Sequence, residues 1–443
     1  MKRALLLVLV VFAASALQAA NEAQLKRRGF FGVRTVTAEA GTGAQIREVL
    51  PGGLAAASGL KPADIITSVA GKKVNAPKTF EAAARLLRSG EKATVQYQRG
   101  GQTLTAEGTL ADEPRETYAS ADVLYDEVIA LKKNQRLRTI VTRPKNAQGK
   151  LPVIFVAGWL SDDSVEAPDD TNDASALLLR GLAEMPGFAT FRMDKPGCGD
   201  SQGDAAETDF ETELGGYRAA FGALSRYDFI DPNRIFILGI SNGGGFAPLV
   251  PSTPEELARV RGFVSIGGWC KTWFEHMLEI ERNRLTLDGK SPAEVTAGLK
   301  ELAPFYDDLL VRGAKPAQLF QQREVASKLW PGDDPAHLYG RPIAFFQQLQ
   351  KLNLAEAWGK VNVPTLVLHG QFDWIMDRDE AELIATIVNV NRPGTAEFVE
   401  LPNTGHTLQT YTSMANAFRG PPQAFNRAHL KRIADWLTAH HDR

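Results

Sequence analysis

The chain has 443 residues, with 50 Lys+Arg against 52 Asp+Glu, 44% hydrophobic and 23% charged residues, and two cysteines. That composition excludes a disordered or collagen-like chain, and a net charge of −2 lacks the basic surplus of a protein that coats nucleic acid. Two cysteines exclude a disulfide scaffold and a four-cysteine zinc site, while the length allows two or three domains, or one with insertions.

Met1–Ala20 opens with Lys2 and Arg3, runs apolar from Ala4 to Ala14, and ends in small residues at Ala16, Ala19 and Ala20. This is the pattern of a secretory signal peptide, with an apolar run too short to span a bilayer comfortably. The expectation is an exported protein, periplasmic or secreted, and mildly acidic once Lys2 and Arg3 are removed. An uncleaved amino-terminal anchor is the alternative. No later apolar run reaches membrane-spanning length, so no integral span is expected after cleavage.

Residues 28–112 form a small module of their own. Phe30-Phe31-Gly32-Val33 precedes an alternating strand at Ala44–Val49. A helical segment follows at Thr79–Leu87, and two strands, ATVQYQR and TLTAEGTL, flank a Gly100-Gly101 turn. With the run from Val49 through GLKPADII and the Gly71 turn, this stretch resembles a PDZ domain of the kind found in periplasmic proteases. The resemblance implies a peptide added as a strand, its carboxyl terminus held in a nest of backbone N–H groups at Phe30, Phe31, Gly32 and Val33. Docking on a neighbour without peptide binding is the other reading. Residues 113–121 read as a polar linker.

From residue 122 to 443 the pattern changes to strands alternating with helices, an α/β arrangement. Strand-like runs lie at Leu124–Ala130, Leu137–Arg143, Pro152–Ala157, Phe188–Met193, Arg234–Gly239, Gly262–Ile266 and Thr365–Leu368. The short apolar runs among them read as buried parallel strands. Helical stretches lie at Ala174–Glu184 and Phe210–Ser225. The run at Arg234–Gly239 ends in Gly239-Ile240-Ser241-Asn242-Gly243, a G-x-S-x-G pattern at a strand-to-helix turn, where glycines relieve crowding around a strained serine. A serine nucleophile needs a base, and the base needs an orienting carboxylate. Asp373 follows a strand in PTLVLHGQFDWI, and His406 follows another in VELPNTGH. Asp377 and Asp379 compete with Asp373 but better suit the first turn of the next helix. His369 reads as structural; His429, His440 and His441 read as solvent-facing.

The GISNGG, HGQFDWI and NTGH motifs, in the order Ser241, Asp373, His406, resemble the α/β-hydrolase superfamily. The fold expected is therefore an α/β-hydrolase with a helical cap, preceded by the small β-rich module. The resemblance implies an oxyanion hole from the backbone N–H groups of Asn242 and Trp159, the latter with Ala157 where many members carry His. RMDKPGCGDSQGD resembles the family's Arg-Gly-x-Gly-x-Ser loop and reads as a structural turn beside the site. Residues 270–355 read as a helical cap broken at WPGDDP. Trp269, Trp273 and Trp374 map to strand ends, where they line an apolar substrate pocket or pack as core between cap and sheet. Cys198 and Cys270 read as two buried thiols rather than a bridge.

Neither metal-ligand spacing nor a Walker or dinucleotide fingerprint is found, so no metal or cofactor is expected. The function these features imply is an exported serine hydrolase acting on small-molecule esters through Ser241, His406 and Asp373. A peptidase resembling serine aminopeptidases or prolyl oligopeptidases is the alternative, favoured by the PDZ-like module. A non-catalytic adapter is a third.

Overall fold

A computed structural model describes residues 25–38, 41–130, 132–167, 173–322, 336–421 and 424–441. The leader expected over Met1–Ala20 and the cap break at 330–335 lie outside the described residues. The chain divides into two compact units, Met1–Pro114 and Arg115–Arg443.

The first unit is built on a sheet in the order Val33–Thr37, Ala44–Val49, Ile65–Val69, Lys92–Arg99, Gln102–Thr109, every pair antiparallel. Ala93, Val95 and Tyr97 alternate inward along Lys92–Arg99, as the two-residue period of a strand requires. They meet Phe31, Ile46, Leu54, Ile66 and Phe80 in one core. The helix expected over Thr79–Leu87 instead runs Pro77–Ala84. Pro77 suits the first helical turn, and Thr79 Oγ1 accepts from the Ala76 N–H at 3.0 Å, fixing the earlier start. At the other end Arg88 Nη1 donates to the Arg85 and Leu87 carbonyls, which closes the helix early.

The second unit carries eight strands: β1 Ala121–Ala130, β2 Gln135–Pro144, β3 Leu151–Ala157, β4 Ala189–Met193, β5 Ile230–Ile240, β6 Val260–Ile266, β7 Thr365–Gly370 and β8 Ala396–Leu401. Their order in the sheet is β8-β7-β6-β5-β3-β4-β2-β1. The pairs β1–β2 and β2–β4 are antiparallel, and the rest are parallel. Strands β3, β4 and β7 are buried at every residue, because both sheet faces are covered. One face, with Ile154 and Val156, packs against α1 (Ala174–Ala183) and the carboxyl-terminal helix Arg427–His440. The other, with Val153 and Phe155, packs against α2 (Phe210–Ala223) and the insertion between β6 and β7.

That insertion holds α3 (Trp273–Leu287) and α4 (Pro292–Tyr306), both opened by capping boxes, Thr272 with Glu275 and Ser291 with Glu294. It closes with a small hairpin, His337–Leu338 with Arg341–Pro342, and helices at Ile343–Gln350 and Leu354–Gly359. The hairpin escapes a search for helical periodicity because its strands are two residues each. Residues 115–118, read from composition as linker, belong to the second unit: Glu116 and Tyr118 are buried, and Glu116 bonds to buried Arg192 on β4. Their polarity serves a buried ion pair, which composition cannot distinguish from solvation.

Candidate active site

Strand β5 ends at Ile240, and the short helix Asn242–Phe246 begins directly after Ser241. Ser241 has φ +56° and ψ −121°, a conformation that strains a residue with a side chain. Two bonds hold it there: its N–H donates to Ile266 O at 2.8 Å, and its carbonyl accepts from the Gly244 N–H at 2.8 Å. The flanking glycines leave no alternative. A Cβ on Gly239 would meet Gly243 O at 2.3 Å, and one on Gly243 would meet Ala157 O at 2.2 Å. The helix therefore approaches the end of β3 at backbone distance, beside Trp159.

His406 lies in the loop after β8, with Nε2 2.9 Å from Ser241 Oγ and Nδ1 2.7 Å from Asp373 Oδ2. A carboxylate only accepts, so Nδ1 carries the proton and Nε2 is left to accept from the Ser241 hydroxyl. Asp373 follows β7 and is 3% exposed; its Oδ1 accepts from the N–H groups of Ile375 and Met376, each at 3.0 Å. Burial alone would raise the Asp373 pKa, but the charge and hydrogen bond of His406, aided by His369 and the Met376 N–H, lower it. Burial would lower the His406 pKa, and the adjacent Asp373 carboxylate outweighs it, leaving it raised. The site thus holds an ionised carboxylate, an oriented imidazole and a strained hydroxyl in one line.

The competing acids point elsewhere. Asp377 Oδ1 accepts from Asn283 Nδ2 at 2.9 Å, and Asp379 accepts from Lys271 Nζ at 2.7 Å. Together with Glu279 they form an acidic group in which Lys271 Nζ donates to both Glu279 and Asp379. His369 is buried with Nε2 2.9 Å from Met376 O, a structural position. His429 is not solvent-facing: it is 4% exposed and bonds to Thr404 Oγ1 at 2.7 Å, and burial lowers its pKa. Its i+4 and i+8 neighbours, Ile433 and Leu437, mark the buried face on which it sits. His440 and His441 are half-buried, each bonded to a backbone carbonyl of its own helix.

Trp159 is half-buried, and the Gly158 N–H before it donates to Tyr217 Oη at 2.9 Å. Among the described residues the N–H groups of Trp159 and Asn242 make no hydrogen bond, so both are available as donors. The expected pocket tryptophans separate. Trp269 and Trp273 are 0% and 2% exposed, 4.8 Å apart edge to face, and lie in the main core. Trp269 Nε1 donates to Asn242 Oδ1 at 3.0 Å, supporting the residue after the serine from beneath. Both pack as core, the alternative to lining a pocket, and only the Trp269 indole bonds to the residue after Ser241. Trp374 remains half-buried, edge-on to Phe418 at 4.9 Å. Cys198 and Cys270 are buried, unpaired thiols, both pushed up in pKa by burial. Tyr217 was invisible to motif reading, because its role exists only once α2 meets the end of β3.

In the first unit, Phe31 is buried edge-on to Phe80 at 5.5 Å, and Phe30 is half-buried in a two-residue strand paired with Ala111–Asp112. Gly32 has φ +68°, and its carbonyl accepts from the Leu50 N–H at 2.8 Å. Val33 begins the edge strand of the sheet.

The chain matches the PDZ domain family over residues 29–110 and the alpha/beta hydrolase fold family over residues 152–411. No curated protein matches it. Solved structures similar to it include Est1E of Butyrivibrio proteoclasticus with ferulic acid bound, at 14% identity and TM-score 0.45, covering 72% of this chain and 100% of that one. A hypothetical protein of Pseudomonas aeruginosa is 17% identical at TM-score 0.45, over 73% of this chain and 95% of its own. An esterase of Pyrococcus furiosus is 12% identical at TM-score 0.44, over 74% and 97% respectively.

Proposed function

The chain belongs to the alpha/beta hydrolase fold family, with a PDZ domain ahead of the hydrolase, and we propose that it is an exported serine hydrolase cleaving carboxylic esters through an acyl-enzyme. The observation that carries this reading is the 2.9 Å contact of His406 Nε2 with the Oγ of a serine at φ +56°. Ser241 Oγ adds to the ester carbonyl carbon as its proton passes to His406 Nε2. The carbonyl oxygen becomes an oxyanion, received by the N–H groups of Asn242 and Trp159. The ester C–O bond then breaks, and His406 gives the proton to the departing alkoxide. Water repeats the sequence on the acyl group, returning Ser241 and releasing the acid. Asp373 holds the imidazole in its working tautomer throughout.

Esters are favoured over amides because an alkoxide leaves with less help from the acid step. The PDZ domain favours a second reading, a peptidase, since a reader of carboxyl termini beside a hydrolase suits a peptide substrate. Export, to the periplasm or the medium, is proposed from the Met1–Ala20 leader alone. A fluorophosphonate probe should label the wild type and fail on Ser241→Ala, with ester hydrolysis falling roughly 10⁴-fold or more. Amide turnover matching ester turnover would replace the ester reading by the peptidase one. Folded wild type that neither labels nor turns over either substrate would leave only an adapter.

A further inference from the structure

The loop that carries Trp159 is held by two buried basic side chains from distant parts of the chain. Lys195, 1% exposed, donates from Nζ to the carbonyl oxygens of both Trp159 and Ser161. Arg341, fully buried on the hairpin of the insertion, donates from Nε to the carbonyl between them, Leu160 O, at 3.0 Å. Its other donors reach Glu213 Oε2 of α2 at 2.7 Å and Ala205 O at 3.3 Å, and its guanidinium lies 5.1 Å over the Phe345 ring. Three consecutive carbonyls thus accept from a lysine amino group and a guanidinium. Burying a guanidinium and a lysine amino group, whose pKa burial lowers, is an expensive way to close a turn, since backbone N–H groups do so without removing basic side chains from water.

The position of these bonds is what gives them a use. The peptide unit bearing the Trp159 N–H lies between two anchored units: the Gly158 N–H is tied to Tyr217 Oη, and the Trp159 carbonyl is tied to Lys195. With both neighbours fixed, the free N–H has one narrow range of direction. We infer that Lys195 and Arg341 are positioning residues that hold this loop so that the Trp159 N–H meets the oxyanion, and that Arg341 makes the hold depend on the insertion being seated. The inference rests on the acyl-transfer reading above. Neither side chain touches the reacting atoms.

The test separates aiming the oxyanion from holding the fold. Full-length wild type, Lys195→Met and Arg341→Lys are compared in steady-state ester hydrolysis, thermal melting, and inhibition by a trifluoromethyl ketone and by a non-reactive ether analogue of the ester. Ser241 Oγ adds to the ketone carbonyl, its proton passes to His406, and the carbonyl oxygen becomes the anion to be stabilised. Lys195→Met should lower kcat about tenfold to a hundredfold with KM changed less than about threefold. Ketone affinity should fall in step with kcat/KM, and ether affinity should not. Arg341→Lys, which keeps the charge beside Glu213 but loses the fork, should move the same quantities in the same direction by less. If Lys195→Met does not fold, Arg341→Lys carries the test alone. A folded variant with unchanged kcat and ketone affinity overturns the inference while labelling of wild type leaves the hydrolase reading standing. Wild type that reacts with neither fluorophosphonate nor ketone removes the reading itself.

Discussion

His406 can take the proton of Ser241 only while its ring is neutral, so its pKa sets the low-pH limit of the proposed reaction. Burial pulls that pKa down and the Asp373 carboxylate at 2.7 Å raises it further than burial lowers it, leaving it above the ordinary histidine value of 6.5. We therefore expect kcat/KM for a neutral ester to rise with pH, its low-pH limb centred above 6.5. Asp373→Asn should move that limb down and lower the plateau roughly 10⁴-fold, since the amide also permits the wrong tautomer. A pH–rate profile of both proteins checks this, and a wild-type limb centred well below 6.5 would count against the pairing. The same shifts fix where the pair stabilises the fold. The raised His406 contributes fully below its unfolded pKa and loses its contribution as pH rises through the folded value. The lowered Asp373 contributes above its unfolded pKa and loses its contribution as pH falls through the folded value. The two overlap between the ordinary values of 3.8 and 6.5. At this scale the sequence was readable wherever chemistry clusters locally. Ser241 sits in a five-residue motif, and Asp373 and His406 each follow a strand. Tyr217, Lys195 and Arg341 were not readable, because each acquires its role from a carbonyl or amide dozens to nearly two hundred positions away.

The elements were legible for a related reason. The fully buried strands β3, β4 and β7 announce themselves as short apolar runs, whereas the insertion reads only as one helical stretch, without the separate starts of α3 and α4. What could not be read was which polar residues turn inward. Glu116 accepts from Arg192 Nη1 at 3.0 Å and Nη2, and from the Ala167 N–H at 2.7 Å, with both side chains essentially unexposed. It pins the segment ahead of β1 to β4 and to the stretch that continues from the Trp159 loop. Glu116→Ala strands a guanidinium in the interior, and we expect a loss of about 3–5 kcal/mol. Urea unfolding should show a lower midpoint with an unchanged slope. Glu116→Gln keeps acceptance from Arg192 but not its charge, and should fall between the two. A midpoint unchanged in Glu116→Ala would mean that Arg192 finds water or another partner.

For the whole molecule, the division at Pro114 has a functional corollary. Ser241, His406 and Asp373, and every side chain found to support them (Tyr217, Trp269, Lys195, Arg341), lie in Arg115–Arg443. A fragment of residues 115–443 keeps Glu116 and should hydrolyse a small ester with kcat and KM within about twofold of the full chain. The PDZ domain should matter only when the substrate carries something it can hold. If the edge strand Val33–Thr37 and the turn at Gly32 receive a carboxyl terminus, as proposed, a tethered substrate would gain effective concentration at the hydrolase. An ester attached to a peptide with a free carboxyl terminus should therefore show a lower KM with the full chain than with the fragment, by about tenfold or more. The amidated peptide ester should show no such difference, because amidation removes the charge that the N–H groups would bind. Equal KM for the free and amidated substrates on the full chain would exclude carboxyl-terminal docking. A fragment inactive toward the small ester would show instead that residues before Arg115 take part in building the site.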